Sequence, residues 1–251
     1  MGSHLSAIGF SDAPLDQQLQ RLIPNGRSIG MTEDGTGRVT VHQDTSGSRI
    51  AMTMERDVLV CLTPTFRPGQ PLMVTVGSFA PDGCPYERPL MVEVLENGMS
   101  QYPLAVQIED LALGDTRFVP GSLVRLEVAA LAESIEVFAD EESYYATGTP
   151  MASRSVIPSG LFAPPGSPAE EGFTPAPRML MRGVVVSSDV RRHSVLGEAF
   201  VRMTVSSYAA SYEVLVAGRD LADPTGRPIA PPPGAVISGQ FWLSGRLLEG
   251  R

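Results

Sequence analysis

Apolar positions along the chain recur mostly with a period of two, in short runs broken by glycine, proline and asparagine. A period near 3.6 is clear once, at Leu15, Leu19, Leu22 and Ile23, behind the start signals Asp12 and Pro14 and ahead of the stop Pro24-Asn25-Gly26. That spacing predicts one amphipathic helix. Before it, the apolar run at residues 5–10 predicts a buried strand; after it, residues 38–43 and 49–54 flank a polar turn at 45–48 and predict a hairpin. Strands are expected next at 58–62, 72–79, 90–95 and 102–108, punctuated by Pro68-Gly69, Pro81-Asp82-Gly83 and Asn97-Gly98. Residues 123–131 and 135–138 read as two strands, and 141–147 as a short helix of modest propensity. Further strands are expected at 178–190, 198–208, 212–217 and 235–247, the last two separated by a proline-rich loop.

The alternation fails at 163–177, where fifteen residues hold five prolines and two glycines. Each proline removes a backbone donor and fixes φ, so neither a central strand nor a helix can continue through. The chain is therefore expected to be mainly β: an α+β amino-terminal part at 1–162, a linker at 163–177, and a small barrel of the oligonucleotide/oligosaccharide-binding (OB) kind at 178–251. Residues 124–138 align without gaps on 201–215 with seven identities, which suggests two related β modules built round one hairpin, with a ligand groove between them. Hydrophobic strands such as 72–79 need a neighbour on each edge, and a homodimer is one way to supply it.

Composition narrows the chemistry. The chain has 251 residues, 43% apolar and 19% charged, which suits a packed core rather than disorder. All 19 basic residues are arginine, which excludes Schiff-base, lysine-base and P-loop lysine mechanisms. Nowhere do about 18 apolar residues run together, so no membrane span is expected and a cytoplasmic location is. Cys61 and Cys84 form no CxxC pair and read as reduced, structural thiols. The net charge of −9 is uneven: residues 1–177 hold ten arginines against twenty-two acids, and residues 178–251 nine against six.

Catalytic motifs are sparse. His4, His42 and His193 are the three histidines, and no GxSxG elbow supports a serine nucleophile. Gly35-Thr36-Gly37 lacks the lysine of a phosphate loop, and the acid pairs Glu141-Glu142 and Glu170-Glu171 lie in polar surroundings. The first sixty residues, read as strand, helix and hairpin, resemble a module of the glyoxalase-like (vicinal oxygen chelate) family. That resemblance implies a metal-dependent enzyme with His4, His42 and Glu55 as candidate ligands, although a matching second ligand pair is missing. For binding, Arg178, Arg182, Arg191, Arg192 and Arg202 lie on adjacent expected strands with Phe200, Tyr208, Tyr212 and Phe241 nearby. Arginines over exposed aromatics would bind single-stranded nucleic acid or another anion.

Three segments, His4-Leu5-Ser6-Ala7-Ile8-Gly9-Phe10, Ile157-Pro158-Ser159-Gly160-Leu161-Phe162 and Phe241-Trp242-Leu243-Ser244-Gly245, resemble a family of uncharacterised bacterial proteins. The resemblance implies a bacterial source and carries over no catalytic residue. The expectation is a non-enzymatic cytoplasmic binding or protein-interaction protein without a cofactor, its partner a protein or a small molecule.

Overall fold

The computed structural model describes residues 3–67, 69–81, 84–114, 116–163 and 173–248, and the alternating runs within them form thirteen strands. The first four, β1 (Arg27–Met31), β2 (Gly37–Gln43), β3 (Ser48–Glu55) and β4 (Val58–Phe66), make an antiparallel sheet in sequence order. β4 runs through Pro64, which is tolerated because β4 is an edge strand of that sheet. The remaining strands are β5 (Leu72–Phe79), β6 (Leu90–Glu96), β7 (Met99–Ile108), β8 (Leu123–Phe138), β9 (Ser155–Ile157), β10 (Arg178–Arg192), β11 (Ala199–Ser206), β12 (Ser211–Ala217) and β13 (Val236–Leu248). They form one nine-stranded sheet whose pairings close on themselves twice.

One circuit runs β5–β6–β7–β13–β8 and back to β5, the other β10–β11–β12–β8–β13 and back to β10. The two have the same plan. In each, three consecutive strands form a meander and a long fourth strand returns antiparallel to the first. Each fourth strand also runs parallel to the third strand of the other group, β13 beside β7 and β8 beside β12. β8 and β13 pair with each other from Phe138↔Val236 to Arg125↔Leu248 and so belong to both circuits. The strands after the linker thus complete their ring with a strand that precedes it.

This arrangement explains the burial pattern of β8. Val128, Ala130 and Ala132 join the large core of the rings, whereas Ala129 and Leu131 face a second core on the other side. The second core also takes Phe200 of β11, Leu215 of β12, Ile50 and Met52 of β3, and Leu19 and Leu22 of helix α1 (Leu15–Leu22). It joins the four-stranded sheet to the rings. β13 serves both rings because glycine lets its backbone approach β8 closely: a Cβ at Gly239 would lie 2.3 Å from the Ser134 carbonyl, and one at Gly245 2.2 Å from that of Glu127.

Most expected elements are present, including helix α1, the 38–54 hairpin and β5 at its expected bounds. Helix α2 (Glu141–Tyr145) is shorter than expected and is capped by the Asp140 carboxylate on the Ser143 amide. Four readings change. Residues 5–10 are no strand; Ser3–Ile8 is a 3₁₀ helix, and it tucks Ala7 and Ile8 into the second core. Gly9 ends it at φ +96°, where a Cβ would lie 2.7 Å from His193 Cβ. Residues 123–138 form one strand, its polar Glu133-Ser134 step absorbed by a bulge opposite Gln240 and Phe241. The repeat aligned at 124–138 and 201–215 therefore matches one long strand with a hairpin; the groups with equal connectivity are β5–β8 and β10–β13. Finally, β5 pairs with β6 on one side and β8 on the other, so its edges need no second copy. Of the linker, residues 164–172 lie outside the described residues. Among the described residues no helix is long and apolar enough to cross a membrane.

Candidate functional site

Two features lie where the four-stranded sheet meets the rings. The first is a cavity of about 590 Å³ between β4, the start of the chain, residues 174–177, Gln107 of β7 and Trp242 of β13. Leu5, Leu15, Leu59 and Leu62 give it apolar walls. Trp242 is fixed on every side: its Nε1 donates to Gln107 at 2.8 Å, His4 stacks on it at 5.0 Å, and the Arg178 guanidinium sits 5.5 Å over its ring. Cys61 and Cys84 both line the space as free thiols. Burial pushes the Cys61 thiol up to about 12, so it is protonated at neutral pH and is no nucleophile.

The second feature is a buried polar cluster of His42, Asp44 and His193, whose ligand-type atoms lie within 4.8 Å of one another. β2 brings His42, and Asp44 opens the turn to β3, where its Oδ1 accepts the Ser46 amide at 2.8 Å. His193 begins the loop between β10 and β11, and the amides of Val195 and Leu196 donate to its Nδ1 at 3.3 Å. Asp44 Oδ2 accepts the Ser194 amide and hydroxyl and lies 3.4 Å from His193 Nδ1. Burial works to raise the Asp44 pKa, but the hydrogen bonds from Ser194 and Ser46 outweigh it and hold the group at about 2. Both histidines are held below the ordinary 6.5, chiefly because burial disfavours the cation. Their rings stack at 5.6 Å; the Asn25 backbone approaches the His42 ring, but no hydrogen bond closes on its nitrogens or on Nε2 of His193.

The expected metal ligands are not brought together. His4 lies on the 3₁₀ helix against Trp242, not on a strand. Glu55 pairs across from Gly37, five residues from His42 along β2, or about 17 Å at strand rise. It accepts the Tyr86 hydroxyl at 2.7 Å. Asp44 and His193 take the places beside His42 instead. The signal for Asp44 was the i, i+2 spacing from His42, which puts two ligand types on one side of an extended segment; nothing local announces His193.

The arginines are mostly engaged. Arg178 forks onto Glu133 (2.8 Å), Arg191 reaches Asp189 (2.6 Å) and the Ser46 carbonyl (2.7 Å), and Arg202 holds Glu213 (2.8 Å) and Asp189 (3.2 Å). Arg192 donates to the Gly197 carbonyl. Arg182 alone of the five has a buried Nε without a partner. Three of the four aromatics expected to stack bases, Phe200, Tyr212 and Phe241, are core residues; Tyr208 is half exposed and donates to Gln101. The uneven charge has a different use. Arg178, Arg219 and Arg246, after the linker, pair with Glu133, Asp12 and Glu127 before it, so the two signs meet inside one molecule.

The chain matches no protein-family model, no curated protein and no solved structure.

Proposed function

We propose that this is a non-enzymatic binding protein that holds a small, largely apolar molecule in the cavity between the four-stranded sheet and the rings. The observation that carries the reading is the cavity itself. Its 590 Å³ falls in the range of small-molecule sites, and leucines with an immobilised indole form an apolar wall with few polar groups to orient a ligand. The strand order of each ring is, on this reading, that of an OB-like barrel. The face on which such barrels take oligonucleotides is covered here by Ala7, Ile8 and Phe10, packed with Phe200 and Leu215, which favours a small ligand over a nucleic-acid strand. Two free thiols suit a reducing compartment, and the reading places the protein in the bacterial cytoplasm.

Nile red, a neutral apolar fluorophore, tests the proposal, with Trp242 as reporter because it is the single tryptophan. Saturable binding of one dye per chain, with energy transfer from Trp242, is expected. Filling the cavity by Leu59→Phe with Val60→Phe should weaken it at least tenfold while the far-ultraviolet circular dichroism is unchanged. Non-saturating binding, or affinity untouched by that double substitution, overturns the reading.

A further inference from the structure

We infer that His42, Asp44 and His193 form a binding site for a divalent transition-metal ion of the zinc class, one that clamps the four-stranded sheet to the rings. The donor set is two imidazoles and one carboxylate, the borderline combination that zinc and its neighbours prefer over calcium or magnesium. The spacing also fits. Ligands at about 2.0–2.1 Å from a tetrahedral ion stand about 3.3–3.4 Å apart, and Asp44 Oδ2 lies 3.4 Å from His193 Nδ1. The whole set falls within 4.8 Å, so side-chain rotation alone brings the third ligand in.

Three further observations point the same way. His42 is 4% exposed and His193 0%, yet no hydrogen bond closes on either ring nitrogen of His42, which the Asn25 backbone approaches, or on Nε2 of His193. A neutral imidazole carries one N–H and one lone pair, and a bound ion would take the lone pair of each ring. The amides of Val195 and Leu196 reach His193 Nδ1 only at 3.3 Å, which marks that nitrogen as the one without a proton, and an ion bound to it would replace these two long contacts. Ser46 and Ser194 orient the carboxylate from outside, the kind of support that liganding carboxylates usually have.

Three protein ligands leave one position of a tetrahedral ion for a water, but all three residues are buried, so that position is kept away from bulk solvent. That argues for a clamp and against a catalytic ion, which keeps a position open to substrate. Its ligands come from the end of β2, the β2–β3 turn and the β10–β11 loop, segments about 150 residues apart that the Ser194 to Asp44 and Arg191 to Ser46 hydrogen bonds also join.

Untagged protein, stripped with chelator and titrated with Zn²⁺ and Co²⁺, tests this. One ion per chain is expected, with the intense visible bands of tetrahedral Co²⁺ and a higher melting temperature. His193→Asn and His42→Gln should each lower the affinity at least a hundredfold, and His4→Ala should leave it unchanged. Ser194→Ala, which keeps all three ligands and only loosens the carboxylate, should weaken binding about tenfold even if a ligand variant fails to fold. No stoichiometric binding by the wild type, or binding as tight in the His42, His193 and Ser194 variants, overturns the inference.

Discussion

The molecule has two joints, and they are built differently. Where one ring meets the other, strands β8 and β13 are shared outright and the polar groups between the rings find each other: the Tyr102 and Tyr212 hydroxyls meet at 2.7 Å, and Tyr102 also donates to the Tyr208 carbonyl. Where the four-stranded sheet meets the rings, a cavity of about 590 Å³ stays open and three imidazole nitrogens of one cluster stay unpaired. The first joint is closed by the chain's own atoms, with Arg182 Nε on β10 the exception. The second leaves room for something else, and both functional proposals lie there rather than between the rings.

The sharpest way to break this comparison is to cut into the finished joint. Phe241 on β13 is 0% exposed and sits in the core common to both rings. Phe241→Ala should cost about 3–5 kcal/mol, the range for a fully buried aromatic whose surroundings cannot collapse. Urea denaturation should show one transition with a lowered midpoint. Two separate transitions would mean that the rings fold independently and share less than their strands imply.

Alkaline pH probes the same joint more gently. Burial, helped by a nearby negative charge, raises the Tyr102 hydroxyl from 10 to about 12, and burial raises Tyr212 well above 10 as well. The raised value means that the folded protein keeps a proton that the unfolded chain gives up. The stabilisation is therefore complete below pH 10 and is lost as pH climbs towards 12, by roughly 2–3 kcal/mol for Tyr102 alone. Tyr102→Phe should flatten that decline. An unchanged slope would show that the pair is wetter than its burial indicates.

How much of this was legible in the chain depends on range. β5 and the Asn97-Gly98 turn were readable because their signals are local: strict alternation in one case, and two residues able to take φ of +53° and +80° in the other. β1 was missed because four of its five residues are exposed and leave no alternation to see. β8 was read as two strands because Glu133-Ser134 looks like a break, and a bulge that keeps pairing intact has no sequence signature of its own. The site was the hardest part. His42 was grouped with His4 and Glu55, whereas its neighbour His193 arrives on a loop set by the closure of a ring, a long-range event that no local pattern records. The charge split at the linker was visible, but pairs across it such as Arg246 with Glu127 were not.

The smallest predicted effect bears on the unfinished joint. Leu62 lies on β4, partly buried, with its side chain on the cavity wall. Truncation normally costs twice over, once for apolar area returned to water and once for the void left among packed neighbours. Here the space beside Leu62 is already empty, so the second cost is largely absent and only part of the first applies. Leu62→Ala should therefore destabilise the protein by about 1 kcal/mol, against the 2–5 kcal/mol of a leucine in a filled core. A chemical melt of wild type and variant side by side reads the difference. A loss near 3 kcal/mol would mean that the wall is packed against other chain atoms in solution, and the contrast between the two joints would fail with it. A loss near 1 kcal/mol that grows when Nile red is present would tie the open volume to ligand binding, because the variant would then forfeit bound-state contacts as well as its own burial.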